Sequence, residues 1–179
     1  MKLAVVVPAR DEQARLPACL DSLAPFSAAG DPIVVVDNGS SDATGAIARE
    51  RRFETIVEPQ AGRGRAVAAG YRAVRERAPW VLVIHADMIV AAGTREAMAA
   101  AIDASPEAVT GALGHRIADR RLVFRAVEAG NRESGSLRTI SAAACSASSR
   151  CPTMKSAFAL RALAMSRALS SVACLAAHP

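Results

Sequence analysis

Apolar residues in this 179-residue chain fall into two kinds of short block. Runs of Val, Ile and Leu without polar alternation occur at residues 2–7, 33–36 and 81–84. Such runs read as strands buried on both faces of a parallel sheet. Ile56-Val57 predicts a short further strand, and residues 109–113 another, ended by Gly114-His115-Arg116. The blocks between them have helical spacing. Leu16, Leu20 and Leu23 share one helix face, with Asp11 or Glu12 at its start and Pro25 at its end, and Pro8 stops the strand before it. Further helices are predicted over residues 43–52, capped by Ser41 or Asp42, from the Gly62 region to about Arg77, over 95–104 with Thr94 as N-cap, and over 122–131. The order β-α-β-α-β-α-β-α-β predicts an α/β fold, a Rossmann-like, mostly parallel sheet with helices on both faces.

Composition changes this picture little. About half the residues are apolar (51%), enough for a real core in one domain. No stretch of about twenty residues is free of charge, so no transmembrane helix is expected. The apolar start ends at Pro8 and charge follows at once, too short for a signal peptide, so a cytoplasmic protein is expected. Cys19, Cys145, Cys151 and Cys174 lack metal-type spacing and are expected to be reduced thiols. The net charge of +5 is local: residues 1–133 carry 17 basic and 17 acidic residues, and residues 134–179 carry five basic and no acidic ones. With aromatic residues at 3%, a stacking surface for nucleic acid is not expected.

The candidate chemistry sits where strands end. His85-Ala86-Asp87 follows the buried run 81–84, at the carboxyl edge where open α/β sheets place ligands. Asp87 reads either as a turn or N-cap residue or as a ligand for a divalent cation carrying a phosphorylated substrate. Asp37 ends the second strand, with Asn38 and Gly39 after it, and Gly39 suits a positive φ or a close backbone approach. Asp11 and Glu12 read as first-turn acids or as groups facing the same crevice; Arg10 reads as a phosphate contact or a solvated cation. Gly62-Arg63-Gly64-Arg65 opens a helix, either as an anion site made of backbone N–H groups and arginines or as a flexible basic loop. It is neither a Walker loop nor the dinucleotide GxGxxG pattern. In the expected fold all these points share one edge, which argues for a nucleotide-phosphate site.

Three ordered segments, VVVPARDEQARLPACLDSL, IVVVDNGSSDATGAIA and VLVIHADM, resemble the family 2 glycosyltransferases of the GT-A fold. With GALGHR further on, the chain looks like their bacterial radical-SAM/selenodomain-associated transferase branch. The resemblance covers about residues 2–132. It implies transfer of a sugar from a UDP- or GDP-linked donor to an unknown acceptor. It also implies nucleotide-contacting positions at Pro8, Ala9, Arg10, Glu12, Asp37, Asn38, Gly39, Arg63, Arg65, His85 and Ala86. Asp87 matches the last residue of the family's DxD-type motif, which binds Mn²⁺ or Mg²⁺. His85 stands where the first Asp of that motif is usual, Asn38 where a second Asp is common, and Ala68 where many relatives have Asn.

The remainder departs from the family. Residues 1–133 read as the nucleotide-sugar domain and residues 134–179 as an atypical Ser/Ala/Arg-rich tail. The family's acceptor half should carry a Glu-Asp catalytic base, yet no acid follows Glu133, so no catalytic residue is identified. Two readings of the tail stand open: out-of-frame translation beginning near residues 131–135, which would leave the transferase impaired, or a divergent encoded segment. A non-catalytic nucleotide- or partner-binding module is the alternative function. A nucleotidyltransferase is disfavoured because PARDE replaces the glycine-rich basic loop expected after its first strand.

Overall fold

The structure, a computed structural model, describes residues 1–113, 140–141 and 174–177. Its elements are β1 (Leu3–Ala9), α1 (Leu16–Ser22), α2 (Ala24–Ala28), β2 (Ile33–Asp37), α3 (Thr44–Glu50), β3 (Glu54–Val57), α4 (Arg63–Val74), β4 (Trp80–Val83), α5 (Thr94–Asp103), β5 (Ala108–Ala112), β6 (Ile140–Ser141) and β7 (Cys174–Ala177). One sheet runs β3-β2-β1-β4-β7-β5-β6. The first four are parallel neighbours; β7 is antiparallel to both β4 and β5, and β6 is antiparallel to β5. The α/β architecture with a parallel sheet is therefore as the pattern predicts.

Side chains of β1, β2 and β4 alternate between two cores, as strand geometry requires. Leu3, Val5, Val7, Ile33, Val35, Trp80 and Leu82 enter one core with Leu16, Leu20, Leu23 and Phe26 of the α1–α2 region and with Met98 and Ile102 of α5. Ala4, Val6, Val34, Val36 and Val81 enter the other, covered by Ala66 and Val74 of α4. Burial on both faces is why these strands are apolar throughout.

Several local expectations are corrected. Pro8 does not stop β1, because Pro8 pairs with Val36 and the strand reaches Ala9. Odd residues of β1 bond toward β2, as in Val5 N–H to Pro32 and Asn38 N–H to Ala9, whereas Val6 bonds toward β4. Pro8 faces the β4 side, where pairing has ended at Val6 with Val83, so its missing N–H costs no ladder bond. Pro25 does not end the first helix; it sits in the first turn of α2, where proline is tolerated. That first helix starts at Leu16, not Asp11 or Glu12, with Pro17 in its own first turn. Gly93, not Thr94, occupies the N-cap position of α5.

At the amino edge of the sheet, Arg95 of α5 clasps the buried Asp31. Its Nε lies 2.7 Å and its Nη2 3.3 Å from the carboxylate, which also accepts the Leu3 N–H at 3.0 Å. No helix among the described residues is long and apolar enough to cross a membrane. The helix expected over 122–131 and the Gly114-His115-Arg116 segment lie outside the described residues. So does the reading-frame question for 134–179, of which only β6 and β7 are described.

Candidate functional site

The parallel register brings the carboxyl ends of β1, β2 and β4 together: Ala9 pairs with Asp37, and Val6 with Val83. The loops after β1 and β2 are laced to each other. Asp11 N–H donates to Ser40 Oγ (3.1 Å), while Asp11 Oδ1 accepts from Ser41 N–H (2.7 Å) and Ser41 Oγ (3.0 Å). Glu12 N–H donates to Thr44 Oγ1 (2.8 Å), Gln13 N–H to Asp42 Oδ2 (3.0 Å), and Ala43 N–H to Gln13 Oε1 (3.2 Å). Asp42 also accepts the Thr44 N–H and hydroxyl at the start of α3, and these bonds hold its carboxyl below the usual carboxylate range. Asp11 takes a left-handed φ of 53° to make this lacing. Its carboxylate is thus engaged with Ser41. Glu12 keeps its carboxylate at the crevice, touched by Arg15 Nη1 at 3.1 Å. Pro8 and Ala9 lie buried at the end of β1, and Arg10 is exposed, 3.8 Å from Asp11.

Asp37 is buried at the end of β2, its Oδ1 accepting Ser40 N–H at 3.0 Å. Gly39 follows with φ +67°, which lets the chain turn back over Pro59. Gly45 of α3 lies so close to Asp37 Oδ2 that a Cβ there would collide with the carboxylate. The sequence offered no signal for Gly45 beyond a small residue in a helical stretch. Asn38 follows Asp37 directly at the end of β2. It is buried, and its amide bonds to the backbone of residues 58, 60 and 62, immediately before α4. Arg63 and Arg65 begin α4, both exposed, and neither pairs with a carboxylate among the described residues.

His85, Ala86 and Asp87 form the turn after β4, closed by Met88 N–H to His85 O at 3.0 Å. Ala86 is buried, His85 half-buried and Asp87 exposed. Beneath them the buried Cys19 thiol donates to His85 O at 3.6 Å. Burial pushes that thiol up to about 12, helped by the negative charges of Asp87 and Glu12. Burial also lowers the His85 pKa, and the Arg63 charge lowers it further, against the opposing pull of Asp87 and Glu12. Glu12, Arg63 and Asp87 therefore all act on His85, although they come from three different segments of the chain.

Among the described residues no group of three or more His, Cys, Asp or Glu side chains could hold a metal alone. Asp87, with His85 beside it, offers at most a partial donor set. That suits a hard cation bound by one or two protein groups and completed by phosphate oxygens, as Mg²⁺ commonly is.

Fold and site together define an α/β domain with an acid-and-arginine crevice at the carboxyl edge of a parallel sheet. The model of the family "Glycosyl transferase family 2" matches residues 4–159, and the chain belongs to that family. That match runs beyond the region carrying the recognisable motifs. Uncharacterized glycosyltransferases of Mycobacterium tuberculosis and Mycobacterium bovis are each 38% identical over 107 residues, 60% of this chain and 46% of theirs. The chain thus spans about half the length of the curated relatives it matches. Among solved structures, Staphylococcus aureus TarS 1–349 is similar at 25% identity and TM-score 0.53, covering 62% of this chain and 34% of that one. The same protein in complex with UDP-GlcNAc matches at 24% and 0.55, covering 62% of this chain and 33% of that one, and it supports the fold.

Proposed function

We propose that this chain binds a nucleotide-diphosphate sugar, UDP- or GDP-linked, at the crevice and transfers the sugar to an acceptor. The observation that carries the reading is the convergence of Glu12, Asp37, His85 and Asp87, at the ends of three parallel strands, with Arg63 at the start of α4. The family supplies the reaction class. In this reading Asp37 and the loop over Pro8, Ala9, Arg10 and Glu12 face the nucleoside. Gly39 shapes that wall, Arg63 and Arg65 face the diphosphate, and His85 and Ala86 form the floor beside it. Asp87 holds Mn²⁺ or Mg²⁺ together with the diphosphate, and the cation supplies stabilisation of negative charge on the leaving group. The half-buried His85 supports the turn that presents Asp87 through its carbonyl, which accepts the Met88 N–H. The HAD and GALGHR segments support placing the chain in the radical-SAM-associated branch.

No Asp or Glu follows Glu133, so a base within this chain has to come from residues 1–133. That feature favours a second reading, a nucleotide-binding module without turnover.

Titration of UDP and GDP with and without Mn²⁺, on the wild type and on Asp87→Ala, tests the site. The expected result is diphosphate binding that Mn²⁺ strengthens in the wild type and not in the variant. Mn²⁺ alone should bind weakly, because the protein supplies too few donors. Binding of neither diphosphate would refute the reading. Binding without sugar transfer or donor hydrolysis would favour the second one.

A further inference from the structure

The amide of Asn38 is matched on every side. Nδ2 donates to Glu58 O at 3.0 Å and Gln60 O at 2.7 Å, and Oδ1 accepts Gly62 N–H at 2.9 Å. Two carbonyls on one end and an N–H on the other settle which end is nitrogen. The side chain is buried, 4% exposed. Its own N–H donates to Ala9 O and the neighbouring Asp37 O accepts Glu58 N–H, both at 2.9 Å. One residue therefore ties together the ends of β1 and β2 and the whole segment between β3 and α4. Gly62 in turn stands at the N-cap of α4, its carbonyl accepting Arg65 N–H and Ala66 N–H.

We propose that Asn38 is a positioning residue for the diphosphate. By clamping residues 58–62 to the end of β2 it sets where Arg63, Arg65 and the first turn of α4 stand relative to Asp37. This rests on the nucleotide-sugar reading and deepens it: Asn38 touches no ligand and acts through the α4 start. In this chain the clamp is made by a side chain that donates twice and accepts once. A carboxylate of the same shape keeps the acceptor for Gly62 but sets negative oxygen against two carbonyl oxygens. An Asp here would have to release the loop or take up a proton.

The test is titration of UDP with Mn²⁺ on the full chain. Asn38→Asp is made alone and in an Arg63→Ala/Arg65→Ala background, with the thermal midpoint recorded for each. Alone, Asn38→Asp is expected to weaken UDP binding by about tenfold or more; in the double-arginine background the further loss is expected to stay under about threefold, because the groups it positions are gone. The weakening is also expected to lessen as pH falls and the new carboxyl protonates. Should Asn38→Asp not fold, Asn38→Ser introduces no charge and carries the same cycle. Equal UDP affinity in wild type and variant, or full additivity with the arginine changes, overturns the proposal alone. Absence of wild-type binding to UDP and GDP overturns the nucleotide reading and this proposal with it.

Discussion

Asp37 Oδ2 occupies the space that a side chain on Gly45 would need. Glycine inside a helix ordinarily costs about 0.5–1 kcal/mol relative to alanine, so its place in α3 answers to the carboxylate. Gly45→Ala is expected to push Asp37 out of place, weakening UDP binding about as much as Asp37→Ala. The crowding itself is expected to cost about 1–3 kcal/mol of stability. In an Asp37→Ala background the sign should reverse, with Gly45→Ala stabilising the protein through helix propensity. Titration calorimetry and denaturant unfolding of the four-member cycle read both effects. A Gly45→Ala variant with wild-type affinity would show that Asp37 does not face the nucleotide.

The electrostatic link among Glu12, Arg63, His85 and Asp87 can be read without ligand or metal. Burial and the Arg63 charge set the His85 pKa below the ordinary imidazole value, and Asp87 and Glu12 pull it back up. In an NMR titration of the metal-free protein, Arg63→Ala is expected to raise the His85 midpoint, whereas Asp87→Ala is expected to lower it. Because protonation is harder in the folded chain than in the unfolded one, His85 disfavours folding as pH falls from about 6.5 toward its lower folded value. Unfolding measurements across that window should show wild type losing stability faster than His85→Gln. Shifts of the same sign in both charge variants would mean that the three side chains do not share a crevice.

The strands of the parallel half and the edge they share were legible in the sequence, because burial on both faces leaves a run without polar alternation. Asp37 and Asp87 could be placed at that edge for the same reason. Pro8 and Pro25 are not the stops that the local pattern suggests. Whether a proline costs a bond depends on where its missing N–H would point, and that is settled by a neighbouring strand or by position in a helical turn. The partners of Asn38 lie 20 to 24 residues away, beyond any local pattern. The insertion of β7 between β4 and β5 had no signal either, since the Cys-Leu-Ala-Ala stretch is too short and too mild to read as a strand.

Asp42 makes the lacing between the β1 and β2 loops sensitive to acid. Hydrogen bonds from Thr44 and Gln13 favour its charged form, so its folded pKa lies below the unfolded one. A depressed carboxylate contributes stability that is present above its unfolded pKa and is lost as pH falls through the folded one. The amides of Gln13 and Thr44 are therefore expected to be protected from hydrogen exchange at neutral pH and to lose protection at strongly acidic pH. Asp42→Ala, which removes both acceptor oxygens, should lose that protection already at neutral pH. The Leu3 amide, bonded to Asp31 at the opposite edge, serves as the internal control. Protection of Gln13 that survives in Asp42→Ala would show that Asp42 does not hold the loops.

Asp31 and Arg95 tie α5 to the amino edge of the sheet, far from the crevice. The Asp31 side chain is fully buried and Arg95 is 16% exposed, so little water screens the pair. Removing one partner strands the other: Asp31→Ala leaves the Leu3 N–H without its acceptor and the Arg95 guanidinium with only the Met1 carbonyl. The expected loss is about 3 kcal/mol. Arg95→Met leaves the buried carboxylate with only Leu3 and is expected to cost a similar amount. The combined Asp31→Leu/Arg95→Met variant replaces both charges by apolar groups and is expected to recover much of that loss, as buried pairs replaced together usually do. Since the pair lies at the opposite edge, UDP affinity should stay at the wild-type value in every variant that folds. Urea unfolding gives the stability cycle and titration calorimetry the affinity. A fall in UDP affinity for the well-folded double replacement would mean that the amino edge bears on the crevice.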